Sequence, residues 1–173
     1  MYTSRTFGIN WLCSYGGSGT NAIADLLESK GIAVRSDYWK EYLCHANSPD
    51  DYPGWNIKRV YLYNDPRLSF HSMMRRGKGY AHVNLNKMSR MEVNFTPEKL
   101  MSAMFNQFMN WSRSRYGVFM LRTEQLSDEQ AMYKLGRYLG IQLDPMTKPK
   151  PREYDMKLPI FQTFKHEIEY ING

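Results

Sequence analysis

Apolar residues along this chain fall into short unbroken runs that alternate with longer stretches in which they recur every three or four positions. Phe7-Gly8-Ile9-Asn10-Trp11-Leu12-Cys13 is short, aromatic-rich and runs straight into a glycine cluster, so it predicts a buried strand entering a tight turn. From Thr20 the spacing becomes helical: Ile23, Leu26, Leu27 and Lys30 share a side, and Gly31 stands where the helix would stop. Ile32-Ala33-Val34 predicts a second short strand. Asp37 to Asn56 is polar, aromatic and punctuated by Pro49, Pro53 and Gly54, the pattern of a long connection over a site.

Ile57-Lys58-Arg59-Val60-Tyr61-Leu62-Tyr63 predicts a further strand. It is followed by Asp65 as a helix cap and Pro66 in the first turn of a helix running to about Arg76 and ending at Gly77. Gly77 to Phe95 is basic and weakly patterned, and reads as a loop. Thr96-Pro97-Glu98 opens a core helix carrying Leu100, Met101, Met104, Phe105, Phe108 and Met109 on one face. Val118-Phe119-Met120-Leu121 predicts the last strand, and Ser127-Asp128-Glu129-Gln130 a capping box opening a helix that ends at Gly140. Strands alternating with helices imply the α/β class: a three-layer α/β/α sandwich around a central parallel sheet.

Length and composition narrow this picture. With 173 residues, 42% of them hydrophobic, the chain suits a single domain spanning 1–173. Lys and Arg number 23 against 17 Asp and Glu, a net charge of +6, so an anionic partner is expected. The basic residues form no tail or long run, which argues against nucleic acid. Cys13 and Cys44 have no metal-like spacing, so neither zinc nor a disulfide framework is expected. The absence of a long apolar run and of a secretion-type start predicts a cytoplasmic protein with no membrane partner.

The candidate chemistry begins at Ser14-Tyr15-Gly16-Gly17-Ser18-Gly19-Thr20-Asn21. A glycine loop between first strand and first helix lies at the carboxyl edge of the sheet, where helix N–H groups attract anions. Gly16, Gly17 and Gly19 let the backbone approach a phosphate, and Ser18, Thr20 and Asn21 add donors. An ordinary glycine turn with a hydroxyl cap would need fewer of these features. The standard ATP loop also needs a lysine after its last glycine; none follows Gly19, which disfavours an ordinary kinase using ATP and magnesium.

Three blocks carry a family resemblance. Ser18-Gly19-Thr20-Asn21 resembles the 5′-phosphosulfate loop, P-[KR]-S-G-T-[TN], of the sulfotransferases that use 3′-phosphoadenosine-5′-phosphosulfate (PAPS). The run Arg59 to Ser72 resembles that family's strand followed by R-[ND]-P-R-x-x-x-x-S. Val118-Phe119-Met120-Leu121-Arg122-Thr123-Glu124-Gln125-Leu126, with Tyr138-Leu139-Gly140-Ile141 after it, resembles the family's R-Y-E-D-L and F-L-G-[LI] segments. The resemblance implies a P-loop-like, sulfotransferase-type fold and transfer of a sulfonate from PAPS to a hydroxyl or amine of a small-molecule, glycan or peptide acceptor, leaving 3′,5′-adenosine bisphosphate, with no metal.

Residue by residue, the resemblance places the cofactor at Gly16, Gly17, Ser18, Gly19, Thr20, Asn21, Asn64, Arg67 and Ser72, with Ser72 on the 3′-phosphate. It places the base at His45, in Leu43-Cys44-His45, with Asp37 and Glu41 as carboxylate alternatives. Two positions depart from the pattern: Gly17 stands where the family has a loop cation, and Asn64 where it has an arginine. Arg67, Arg75, Arg76, Lys78, Lys148, Lys150 and Arg152 are candidate replacements, the favoured ones being Lys150 and Arg152 in the Lys148-Pro149-Lys150-Pro151-Arg152 cluster. The alternatives are a nucleotide-binding homologue without catalysis and a small P-loop kinase.

Overall fold

The computed structural model describes residues 10–35, 43–54, 56–77, 79, 95–148 and 152–173. Three strands form a parallel sheet in the order β1 (Asn10–Ser14), β2 (Lys58–Tyr63), β3 (Val118–Arg122). Ser14 lies opposite Leu62, and Tyr63 opposite Arg122, so all three strands end at one edge. Inward and outward positions alternate along each strand, and both faces are covered, as a parallel sheet requires.

On one face Leu12, Val60, Leu62 and Leu121 meet Ile23, Ala24 and Leu27 of α1 (Thr20–Ser29), and Met132, Leu135 and Leu139 of the helix Glu129–Leu139. On the other, Trp11, Cys13 and Tyr61 meet Phe108 and Trp111 of the helix Pro97–Ser112. These are the three layers expected. In chain order α2 is Pro66–Arg75, α3 Pro97–Ser112 and α4 Glu129–Leu139. Two short helices, α5 (Pro159–Thr163) and α6 (Lys165–Asn172), complete the chain. Phe161 and Ile168 from them join Tyr15, Phe70, Met73, Leu100 and Met104 in a second core between α2 and α3.

Most helix boundaries follow local chemistry. Asp65 caps α2 by accepting from the Arg67 N–H (2.9 Å) with Pro66 at the first position, and Thr96 caps α3 through the Lys99 N–H (3.3 Å). The expected capping box at Ser127 is replaced by a cap at Asp128, whose carboxylate accepts from the Ala131 N–H at 2.7 Å. The cap shifts by one residue because Ser127 itself belongs to a 3-10 turn, Thr123–Ser127.

The predicted strand at Ile32-Ala33-Val34 does not form. The Ile32 N–H reaches back to Leu27 O (2.9 Å) and the Gly31 N–H to Glu28 O (3.0 Å), a Schellman closure that ties the segment to the end of α1. Val34 still reaches the core, at 1% exposure. Part of the predicted Asp37–Asn56 connection, from Leu43 on, contains two 3-10 turns, Leu43–His45 and Pro49–Asp51, with Cys44, Ala46 and Pro49 buried.

Gly136 provides a test of packing in α4. A Cβ there would sit 2.6 Å from the carbonyl oxygen of Ile141, and backbone cannot easily yield. Glycine to alanine inside a helix normally stabilises by about 0.8–1 kcal/mol, whereas overpacking costs about 1–3 kcal/mol. Gly136→Ala is therefore expected to lower stability by up to about 2 kcal/mol, measured as a lower urea midpoint at unchanged slope. A raised midpoint would refute this reading of the α4 contact.

Candidate functional site

The carboxyl edge of the sheet gathers the glycine loop, the start of α2 and the turn after β3. Gly19 caps α1 in the left-handed region (φ 77°), which leaves the first N–H groups of the helix to be satisfied from outside. Gly16 donates to Ser14 Oγ at 3.3 Å, and Ser14 Oγ is hydrogen-bonded to Thr20 Oγ1, closing the loop upon itself. Among the described residues, the N–H groups of Gly17, Ser18, Gly19, Thr20 and Asn21 meet no acceptor. Five such donors at a helix start form a cradle for an anion.

The loop is held from two sides. Thr123 Oγ1 donates to Ser18 O (2.9 Å) from the turn after β3, and Asn64 Nδ2 lies 3.5 Å from Gly17 O. Asn64 Oδ1 accepts from the Ser69 hydroxyl, with Ser18 Oγ 3.5 Å away. Asn64, Ser18 and Ser69 are all buried, around a cavity of about 10 Å³ that is large enough for one water. A nucleotide would therefore lie outside this cluster, over the loop. Asn64 braces the loop from below and its amide is already engaged.

Gly17 has φ 73°, and a Cβ on it would fall 3.1 Å from Ser69 O and 3.1 Å from Ser72 Cβ. Helix α2 thus runs directly against the loop. The backbone bends there as only glycine does at low cost, and a side chain would be crowded. Ser72, half-buried beside Gly17, has a hydroxyl that meets no partner among the described residues.

His45 sits at the end of the Leu43–His45 turn, with Nδ1 2.9 Å from Ser14 O. A carbonyl only accepts, so the ring proton resides on Nδ1 and Nε2 carries the lone pair. Burial lowers the imidazole pKa, the bond to Ser14 raises it, and the charge of Arg76 lowers it again; the net direction is down. His45 is therefore neutral at neutral pH. Its backbone is clamped by Gln107, whose Nε2 donates to His45 O (3.0 Å) and Ala46 O (2.7 Å) while Oε1 accepts from Tyr61 (2.8 Å). Trp111 Nε1 adds a third donor to Ala46 O at 3.0 Å.

The remaining candidates separate clearly. Asp37, Glu41 and Lys150 lie outside the described residues. Arg67 grips Asp65 with Nε and Nη2, the shortest contact being 2.6 Å, so its guanidinium faces a carboxylate. Burial pushes the Asp65 carboxyl up, but the Arg67 and Asn172 hydrogen bonds outweigh it and hold it below the ordinary range. Lys148 and Arg152 are exposed, and neither has a hydrogen bond or ion pair among the described residues.

His71 stacks on Tyr154 (ring centroids 4.9 Å apart) and contacts Asp155 O through Nε2 (2.7 Å), binding the last segment of the chain to α2. Burial pushes the Cys44 thiol up to about 11 and Cys13 upward too, so neither is a thiolate nucleophile at neutral pH.

Sequence reasoning missed Gln107 and Asn172. Gln107 sits among apolar residues on a core helix, where a polar position signals a buried partner; Asn172 Nδ2 donates to Asp65 Oδ2 (3.0 Å), a contact without any local signal. A larger cavity, about 340 Å³, opens at the opposite edge of the sheet between Ile57, Lys58, Tyr116 and Tyr138. Its polar groups already serve the fold: Lys58 Nζ holds Leu139 O (3.0 Å), and the Tyr138 hydroxyl accepts from the Arg59 N–H (3.0 Å). Among the described residues no group of three His, Cys, Asp or Glu could hold a metal ion, and no helix is long and apolar enough to cross a membrane. Compared with protein-family models, curated proteins and solved structures, the chain finds no match.

Two outcomes follow from the geometry. Gly17→Ala should cost about 1–2 kcal/mol from left-handed strain plus a further penalty from α2. Gly31→Ala, at φ 83° with nothing within 4 Å, should cost the strain alone. Equal losses in urea denaturation would contradict the close loop–helix contact.

Because His45 is neutral when folded, the unfolded chain takes up its proton first as pH falls. Stability should thus hold above the unfolded imidazole value, near 6.5, and decline below it toward the lower folded value. His45→Gln should flatten that decline in melts run across this window; an unchanged slope would show that His45 does not cause it.

Proposed function

We propose that this protein binds the phosphosulfate end of PAPS on the glycine loop and transfers its sulfonate to a hydroxyl or amine acceptor. The same reading takes the α/β sandwich as P-loop-like and sulfotransferase-type, acting in the cytoplasm. The observation that carries it is the cradle of unpaired N–H groups at 17–21, flanked by the Ser72 hydroxyl on one side and a neutral imidazole on the other.

Gly17 to Asn21 would hold the anion through backbone donors, and Ser72 would contact the nucleotide's other phosphate. The imidazole Nε2 lone pair of His45 would take the acceptor's proton, since the ring is oriented by Ser14 and kept neutral by burial. PAPS supplies the activated group: a bond forms from acceptor oxygen or nitrogen to sulfur, the sulfur–oxygen bond to the 5′-phosphate breaks with its electron pair going to that phosphate, and adenosine 3′,5′-bisphosphate departs.

A second reading, nucleotide binding without catalysis, is favoured by Asn64, whose amide braces the loop where a charged partner for phosphate would be expected. The ATP–magnesium reading loses its metal ligand, because Asp65 is engaged by Arg67 and Asn172.

Adenosine 3′,5′-bisphosphate should raise the melting temperature more than ATP with magnesium does. The reverse order would sink the proposal in favour of a kinase. Ser72→Ala and Gly19→Val should each weaken bisphosphate binding, about tenfold for the lost hydroxyl contact. His45→Ala should abolish transfer across a panel of acceptors while sparing binding; binding with no transfer by the unaltered protein would select the second reading.

A further inference from the structure

We infer that Arg76, at the carboxyl end of α2, supplies the positive charge that the glycine loop lacks, and so forms part of an anhydride-anion site shared between the loop and α2. This rests on the proposed binding of a phosphosulfate at that loop. The loop itself offers N–H groups and hydroxyls, with no cation. A side chain at Gly17 would be strained by the positive φ and crowded by Ser69 and Ser72, each 3.1 Å from where a Cβ would be. Any charge must come from a neighbouring element.

Ser69, Ser72 and Arg76 recur at three- and four-residue spacing, and so share one face of α2. The first two abut Gly17. Arg76 folds back along that face, its Nε donating to Ser72 O at 3.0 Å. Its charge also reaches His45, whose ring is anchored on Ser14 at the other end of the loop. Arg76 therefore lies on the face of α2 that abuts the loop, one turn beyond Ser72.

Four other arginines are occupied or remote. Arg67 is held by Asp65, Arg122 by Asn172 O (2.9 Å), Arg35 by Asp25 and Glu28, and Arg59 lies at the opposite edge of the sheet. Arg76 is exposed, and no carboxylate pairs with it among the described residues. A planar guanidinium presents paired donors that match the oxygens of phosphate and sulfonate groups, and it stabilises charge gathering on a departing phosphate.

The test is calorimetric titration of inorganic pyrophosphate, the bare analogue of a phosphosulfate, and of adenosine 3′,5′-bisphosphate into the full chain. Arg76→Ala, Arg76→Lys and Arg75→Ala are compared with the unaltered protein. All three replace exposed side chains and leave the core intact. Arg76→Ala should weaken pyrophosphate at least tenfold and Arg76→Lys by less, while Arg75→Ala stays within about threefold.

Pyrophosphate binding by Arg76→Ala within twofold of the unaltered protein would overturn the inference, as would an equal loss in Arg75→Ala or no pyrophosphate binding at all. The nucleotide reading fails separately. Adenosine bisphosphate binding no tighter than pyrophosphate, with the Arg76 dependence intact, would leave an anion site without a nucleotide and uphold Arg76 as its cation.

Discussion

Helix α2 lies against the glycine loop at Gly17 so closely that a Cβ there would come within 3.1 Å of helix backbone, and much of the site is arranged around that contact. The positive φ and the close approach both favour glycine at this position. The contact brings Ser69 and Ser72 to the loop and sets Asn64 under it as a brace. The polar cluster beneath the loop is buried, satisfied and nearly void-free, which keeps the loop's shape independent of any ligand. Preformed donors of this kind need no reorganisation when negative charge develops.

A second constraint positions His45. The carbonyls of His45 and Ala46, at the end of the 3-10 turn, would be costly to bury unpaired. Gln107 and Trp111, projecting from a helix otherwise devoted to the core, supply those donors, and Tyr61 fixes the Gln107 amide from the central strand. The imidazole orientation is thus set by the sheet and α3 together. Burial and the nearby Arg76 charge keep the ring neutral, as a proton acceptor must be.

The segments that follow the three strands meet at one edge of the sheet. Thr123, after β3, touches the loop through Ser18; Asn64 and Ser69, after β2, touch it from below. The two departures from the family pattern have local causes here. Gly17 follows from helix contact, and Asn64 satisfies buried hydroxyls. The last helix then closes the edge from outside, through Asn172 on Asp65 and Arg122.

The α/β class, the three strands, four of the helices and the glycine loop were legible in the chain, because they depend on local periodicity, caps and turns that each segment carries within itself. Asp65 with Pro66, Thr96 with Pro97 and Gly31 illustrate this. The short run Ile32–Val34 misled because three apolar residues suit a strand or a buried coil equally, and the helix closure at Gly31 decided between them. Helices α5 and α6 were not foreseen in the short, mostly polar tail.

The bond of Asn172 to Asp65 and the contacts of Asn64 with Gly17 and Ser18 were decided only by the tertiary structure. So were the clamp of Gln107 on His45 and the contact of Ser69 and Ser72 with Gly17. Each joins residues from separate elements, and no local pattern encodes which partner a polar group meets once packing has removed the water around it.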